Sequence, residues 1–434
     1  MRKIPRTFIS EIKKEGNVLL KGWIHELREL SKVKFFLLRD STGIVQCVVK
    51  NPSLFKDFSK LSLESIISLE GKVKKSKIKS EIVTKKDFEV EVEKIEIINK
   101  AEELPILVNE KKVSTAFSKR LDYRSIDLRK KRNFTIFKIQ AAFLEGMQEW
   151  LNSNGFIQVF TPCLLGSASE SGAEVFSVLY FDREAFLRQD PQLHRQLTIA
   201  GGIEKIYEIG PSWRAELSHT TRHLTEHRTC AVELAFIESE KDVMKVEEEL
   251  IKAAIKKARE KCEEELKLFD FDIKLKSPFP ELKFSSIPEI LAEFGKKQSM
   301  NEDLDTEAEK LLANYVKEKY KADFFFINGF PFKIKPFYVY HDNEFARSVD
   351  LYCRNLELSS GGQREHRHTI LMKNIKEKDL NPKNLEWFTK FFKYGVPPHG
   401  GFSIGIERLT QAILKLENIK EAVLFPRDPE RILP

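Results

Sequence analysis

The sequence predicts an α+β chain made of a small N-terminal β-barrel and a larger domain whose antiparallel sheet is flanked by helices. Three observations carry that reading. Apolar and polar residues alternate in Phe88-Glu89-Val90-Glu91-Val92-Glu93, the period of two that marks a half-buried strand. Four more short β-rich runs, at 18–24, 34–39, 43–49 and 65–73, share the same N-terminal stretch. Helical periodicity then enters at 137–152, and short strands mix with helices beyond it, without the regular strand–helix alternation of a doubly wound sheet.

Five closely spaced short strands suit a closed barrel such as the OB-fold, a scaffold that often binds single-stranded nucleic acid. The fold alone does not establish that function. Asp40-Ser41-Thr42-Gly43 is the turn signal between the second and third strands. The basic run Lys72, Lys74, Lys75, Lys77, Lys79 fits either a solvated strand or a track for a phosphate backbone. Residues 1–104 are assigned to the barrel, the less regular charged stretch 105–132 to a hinge, and 133–434 to the second domain. There Phe137, Ala141, Ala142, Met147, Trp150 and Leu151 fall on one side of a helix that Asn154-Gly155 stops. Cys262 continues an apolar stripe of Val246, Leu250, Ala254, Ala258 and Leu266, a packing position.

Composition narrows the classes. At 434 residues, 41% hydrophobic and 32% charged, the chain reads as soluble and globular, with room for two or three domains. It has neither a run long enough to span a membrane nor an N-terminal secretory pattern, which predicts a cytoplasmic protein. Five scattered cysteines, none spaced as CxxC, predict neither a disulfide framework nor a zinc site. The net charge of +7 is compatible with a polyanionic partner and with an ordinary enzyme.

Neither a P-loop nor a GxGxxG turn is present. Arginines, acids and histidines concentrate instead in three blocks. The first runs from Tyr207 through Arg214-Ala215-Glu216 and Arg222-His223-Leu224-Thr225-Glu226-His227 to Glu233-Leu234-Ala235-Phe236. On a strand, Arg214 and Glu216 would share a face, where a guanidinium can clamp a phosphate and a carboxylate can accept from an amine. The second block spans Asp350 to Glu357 and continues through Ser359-Ser360-Gly361-Gly362-Gln363-Arg364; its two acids are suited to Mg²⁺. The third, Gly400-Gly401-Phe402-Ser403-Ile404-Gly405-Ile406-Glu407-Arg408, has glycines that permit close backbone approach. Singly, each block is explained by surface ion pairs, caps or turns. Together and in this order they are hard to dismiss.

The set resembles motifs 2 and 3, and the intervening amino-acid site, of class II aminoacyl-tRNA synthetases. Gly155-Phe156-Ile157-Gln158-Val159-Phe160-Thr161-Pro162 resembles motif 1, which implies a homodimer. Nearly end to end, the chain is similar to the aspartyl-tRNA synthetases of the archaeal and eukaryotic type. Gly22-Trp23-Ile24-His25-Glu26-Leu27-Arg28 and Gly43-Ile44-Val45-Gln46 resemble their anticodon-binding OB-fold, while Ser360–His368 and Leu424-Phe425-Pro426-Arg427-Asp428 are also typical. The resemblance implies ligation of L-aspartate to tRNA(Asp) with ATP and Mg²⁺, through an aspartyl-adenylate. It places Arg214 on the α-phosphate, Arg408 on the γ-phosphate, Glu216 on the adenine amino group and His223 at the phosphates. Arg222, Leu224 and Gly405 complete that site, and Asp350 and Glu357 hold Mg²⁺. A lid at 166–172 brings Glu170 to the substrate amino group, with Gln192, Arg195, Ser360 and Arg364 around the amino acid. Trp23 and His25 fall on the anticodon face.

The chain departs from the family pattern at several positions. The family's SPQ is Asp190-Pro191-Gln192, its aspartate-reading lysine is Arg195, and an acid two residues before Glu233 is Ala231. Arginine keeps the charge in a longer, forked form, and Asp190 is the candidate to replace the lost acid as a ligand of the substrate ammonium. His227 replaces the aromatic residue that stacks on adenine. Two cations, Arg195 and Arg364, favour a carboxylate substrate over an amide, so aspartate is preferred to the alternative of an asparaginyl-tRNA synthetase. A synthetase-like paralogue that only binds RNA or makes a free metabolite is the alternative from another class; the set Arg214, Glu216, Glu357, Arg408 and the OB-like module speak against it. Discriminating archaeal enzymes commonly carry tryptophan where this chain has His25. A relaxed pocket that also accepts tRNA(Asn), and an ordinary barrel-surface histidine, both remain open on the sequence.

Overall fold

The computed structural model describes residues 5–30, 33–109, 115–166, 175–217 and 219–433. The chain divides into two compact units, Met1–Lys130 and Lys131–Pro434. The stretch expected as a hinge contains two short helices, Phe117–Asp122 and Arg124–Asp127, both within the first unit.

In the first unit β1 (Gly16–Glu29), β2 (Lys34–Arg39), β3 (Ile44–Val49), β4 (Ile66–Lys75) and β5 (Phe88–Asn99) close a barrel of order β1-β2-β3-β5-β4. Alternation drives the closure: Val18, Leu20 and Ile24 of β1 and Val90 and Val92 of β5 bury into one core, while Glu89, Glu91 and Glu93 point outward. Asp40 makes the predicted turn, its Oδ1 accepting from the amides of Thr42 (2.7 Å) and Gly43 (3.0 Å). The basic run loses part of its free charge to β5. Lys72 lies opposite Glu91 and ion-pairs with Glu93 at 2.9 Å, and Lys74 lies opposite Glu89.

His25 is not on the exposed barrel face expected from the sequence. It is the inserted residue of a β-bulge, since Ile24 pairs with Leu38 and Glu26 with Leu37. Its side chain is buried, with Nδ1 2.9 Å from Arg39 Nη1, and Arg39 in turn donates to both oxygens of Glu64 at 2.8 and 2.7 Å. A buried charge needs a partner, and this arginine has a carboxylate beside it. Trp23 stays half-buried, with the Arg39 guanidinium 5.7 Å from its ring.

The second unit begins with α1 (Lys131–Ser153), which starts earlier than the periodicity predicts and is stopped by left-handed Gly155 (φ 79°). Its sheet comprises β6 (Ile157–Gln158), β7 (Lys205–Trp213), β8 (Glu226–Ala235), β9 (Glu281–Lys283), β10 (Phe324–Asn328), β11 (Ser348–Cys353), β12 (Leu356–Arg364) and β13 (His399–Gly405). The order is β9-β10-β11-β12-β13-β8-β7-β6. The sheet is mixed rather than wholly antiparallel, because the short edge strands β6 and β9 join in parallel. Helix α1 and α3 (Glu240–Lys261) share one core with the sheet, together with α5 (Ile406–Leu414). The helices α2 (Gln192–Ala200) and α4 (Thr306–Tyr320) complete the elements that matter below. Cys262 caps α3 and is buried in that core, as a packing residue should be. Among the described residues, no helix is long and apolar enough to cross a membrane.

Close approach explains Gly401. A Cβ there would lie 2.0 Å from the Val232 carbonyl oxygen and 2.4 Å from Glu233 Oε2, whereas one at Gly405 meets nothing closer than 3.6 Å. Gly401→Ala should therefore lower stability by about 1–3 kcal/mol, read as a reduced urea midpoint, with Gly405→Ala costing less than about 1 kcal/mol. Equal midpoints for the two variants would contradict the packing at Gly401.

Candidate active site

Alternation along β8 puts His227, Thr229, Ala231 and Glu233 on one face. The register sets Thr229 opposite Gly405, Ala231 opposite Ser403 and Glu233 opposite Gly401 on β13, with Ser360 of β12 opposite Ser403. A cavity of about 400 Å³ opens on this face. Gln192, Arg214, Glu216, Arg222, His223, Leu224, Glu357, Ser360, Arg364, Gly405 and Arg408 all line it, so the structure brings together most of the site named from the sequence. Arg195 and Asp350 are buried outside the lining set. Glu170 and the lid from residue 167 onward lie outside the described residues.

At one end the charges are arranged for an anion. Strand β7 stops at Trp213, so Arg214 and Glu216 stand just past it and not on a strand. Arg214 is still anchored through its amide to the Thr225 carbonyl (2.9 Å), and its Nη1 lies 3.5 Å from Glu216 Oε1. Arg408 sits in the first turn of α5 and donates from Nη1 to the Glu357 carbonyl at 3.1 Å. Burial pushes the pKa of His227 down to about 3, and Arg214 and Arg408 add to the shift. His223 shifts the same way, chiefly by burial and then by Arg408. Both rings are thus neutral, and a neutral imidazole can lie against another ring without charge repulsion from the arginines. Asp350 accepts from Lys335 Nζ at 2.7 Å. Burial raises its pKa and Glu357 adds to that, against the pull of Lys335.

At the other end a closed polar network is buried in the sheet. Glu233, with no exposure, accepts from Gln192 Nε2 (3.0 Å) and Arg364 Nε (3.1 Å). Arg364 Nη2 donates to Gln192 Oε1 and to the Gly401 carbonyl, both at 3.0 Å. Its Nη1 has no hydrogen-bond partner among the described residues. The fully buried Arg195 donates from Nη2 to Asp190 Oδ1 (2.5 Å) and Gln192 Oε1 (2.8 Å). Each arginine therefore has its own carboxylate: Arg364 has Glu233, and Arg195 has Asp190. This changes the charge argument made from the sequence, which counted two free cations. At this end of the cavity the wall cation is Arg364; Arg195 stands behind Asp190 and Gln192, which do line it.

Sequence reasoning missed three residues. Glu309, on α4, holds Arg222 Nη1 at 2.6 Å, yet burial lifts its pKa to about 7. No local pattern marks it, because α4 reaches the site only through the fold. Lys335 was missed for the same reason. Glu247 of α3 is fully buried beneath β12 and bonded to Ser359, a cavity residue. A lone acid on the apolar stripe of α3 was the one available signal.

Comparison with known proteins agrees with this geometry. The family model "tRNA synthetases class II (D, K and N)" matches residues 117–429, and an "OB-fold nucleic acid binding domain" matches residues 18–98. The chain belongs to the class II tRNA synthetases. Among relatives of this synthetase, the Aspartate--tRNA(Asp) ligase of Pyrococcus horikoshii is 43% identical over 98% of this chain and 99% of its own. The Aspartate--tRNA(Asp/Asn) ligase of Methanopyrus kandleri is 41% identical over 96% of each. A crystal structure of asparaginyl-tRNA synthetase from Pyrococcus horikoshii, complexed with asparaginyl-adenylate, superposes with a TM-score of 0.92 at 34% identity, covering 99% of this chain and 100% of that one. Aspartyl tRNA synthetase from Entamoeba histolytica gives 0.91 at 30%, covering 100% and 93%.

Glu247 yields a pH prediction. Burial raises its pKa to about 8, so the folded synthetase holds this proton where the unfolded chain has released it. Its contribution to stability must then fall as pH rises from the ordinary carboxylate value toward about 8, and level off above that. Glu247→Gln should remove this dependence, with unfolding midpoints of variant and parent diverging in the variant's favour between pH 5 and pH 8. A constant difference across that range would show that Glu247 is ionised in the fold.

Proposed function

We propose that this synthetase joins L-aspartate to tRNA(Asp) in two steps, through an aspartyl-adenylate, and that it also accepts tRNA(Asn). The observation that carries the amino acid is Arg364: it is buried at the cavity wall, aimed by Glu233 and Gln192, and keeps Nη1 for a ligand. A carboxylate offers this donor two acceptor oxygens, whereas an amide offers one and places its NH₂ against a cation. The names of the relatives point the same way.

In the first step an aspartate carboxylate oxygen attacks the α-phosphorus of ATP, and pyrophosphate leaves. Arg214 neutralises the charge that builds on the α-phosphate, Arg408 takes the γ-phosphate, and Arg222 and His223 line the path between. Glu216 accepts from the adenine amino group, and the neutral His227 ring lies against the base. Leu224 and Gly405 complete the wall. Glu357 on the cavity wall, with Asp350 buried outside the lining against Lys335, would supply hard oxygen donors of the kind Mg²⁺ takes, in the small number usual where phosphates and water provide the rest. When bound, the ion would screen the phosphate charge. Gln192 and Ser360 contact the amino acid, and the family resemblance adds Glu170. Positioning and charge neutralisation suffice, and no general base is needed.

The first unit reads the anticodon through Trp23. Burial of His25 in the Arg39–Glu64 network leaves no bulky ring in its place on the surface, which is the observation that favours a permissive pocket. Exposed Ile157 (55%) and Phe160 (80%) in the stretch that resembles motif 1, with Leu179 (85%) and Phe181 (83%) nearby in the chain, favour a homodimer that covers them. Translation of cytoplasmic messages is the setting such an enzyme serves.

Two measurements test this reading. Arg214→Ala should reduce aspartate-dependent ATP–pyrophosphate exchange by roughly 10²–10³-fold with folding unchanged; near-parental exchange would remove Arg214 from the site. Purified tRNA(Asp) and tRNA(Asn) transcripts should both be charged with aspartate. If tRNA(Asn) stays at background the enzyme discriminates, and His25→Trp then has no activity to suppress.

A further inference from the structure

We propose that Asp190 receives the α-ammonium of the amino acid, and that Arg195 is the positioning residue that aims it. This deepens the reading of the cavity as an amino-acid site and rests on it. Asp190 lines the cavity with its side chain 22% exposed. Arg195 has no exposure, and a single nitrogen, Nη2, holds both Asp190 Oδ1 (2.5 Å) and Gln192 Oε1 (2.8 Å). Its Nε and Nη1 are buried without hydrogen bonds. A guanidinium sealed away from the cavity cannot read a ligand directly; it acts through the two wall residues it grips.

The electrostatics are consistent. Burial pushes the Asp190 pKa up, but Arg195 first, then Arg364 and Arg214, bring it below the ordinary carboxylate value, so the wall carries a full negative charge. The amino-acid end of the cavity thus presents a carboxylate, Asp190, and a partly free guanidinium, Arg364, while Gln192 Oε1 accepts from both Arg364 and the Arg195 that holds Asp190. An amino acid with a carboxylate side chain has one group for each. At 231, on the same face of β8 as Glu233, alanine is buried and supplies no charge. Asp190 restores one acid to the site, from α2's approach rather than from the sheet.

The test compares two probes on the full-length protein: the sulfamoyl analogue of aspartyl-adenylate, and its succinyl counterpart, which lacks only the α-amino group. Asp190→Asn should weaken the aspartyl probe by roughly 10–100-fold, the loss of one charge-assisted bond, and the succinyl probe by less than about 3-fold. Asp190→Glu, which keeps the charge, should recover part of the aspartyl affinity. If both probes weaken by the same factor, Asp190 is only structural and the proposal falls. If the succinyl probe instead tightens while the aspartyl probe is unchanged, Asp190 serves to neutralise Arg195, and the proposal falls also. Failure of the parental enzyme to prefer the aspartyl over the asparaginyl probe would overturn the substrate reading alone; the amino and desamino asparaginyl pair then measures Asp190 in the same way.

Discussion

One buried carboxylate organises this molecule. Glu233 lies in the middle of the catalytic sheet with no exposure to water, and an ionised group there survives only if it is paired and hydrogen-bonded. Gln192 and Arg364 meet that demand from two different elements, α2 and β12. The neighbouring strand must then leave room for the carboxylate, which explains a glycine at 401 whose missing Cβ would strike Glu233 itself. The same glycine's carbonyl takes a further bond from Arg364. Sheet register, the seat of α2 and the aim of Arg364 at the amino-acid end of the cavity all follow from keeping that charge satisfied.

Much of the fold was legible because its signals are local. The alternation in β5 and the Asp40 turn report backbone geometry within a few residues, and the structure shows both. The cavity's two ends were legible for another reason: the three distant blocks fall on adjacent strands or just beyond their ends, so one face collects their arginines, acids and glycines. What local pattern could not report is what the fold brings from afar. Glu309 and Lys335 reach the site from segments with no signature of their own. The short parallel edge strands β6 and β9 were missed too, since two or three residues carry no period.

The corrections share a cause, which is that sequence reading counts charges without their partners. Arg195 reads along the chain as a cation near the substrate side chain and is bound to Asp190; His25 reads as a residue of the anticodon face and is held under Arg39. Two of the five lysines of the basic run, Lys72 and Lys74, lie opposite glutamates of β5. In each case a charge that looks available along the chain is used to satisfy another one in space, and only the remainder is open to a ligand. At the amino-acid end of the cavity that remainder is Arg364 Nη1, with the Asp190 carboxylate on the same lining.

That remainder is what should select the substrate, and it is tested without tRNA. ATP–pyrophosphate exchange measured with L-aspartate and with L-asparagine as the sole amino acid compares a carboxylate and an amide at the same guanidinium. The account predicts kcat/KM for aspartate above that for asparagine by roughly 10²-fold or more, as expected where the wrong isostere leaves a buried polar group unpaired. Equal exchange with the two amino acids, or faster exchange with asparagine, would contradict it.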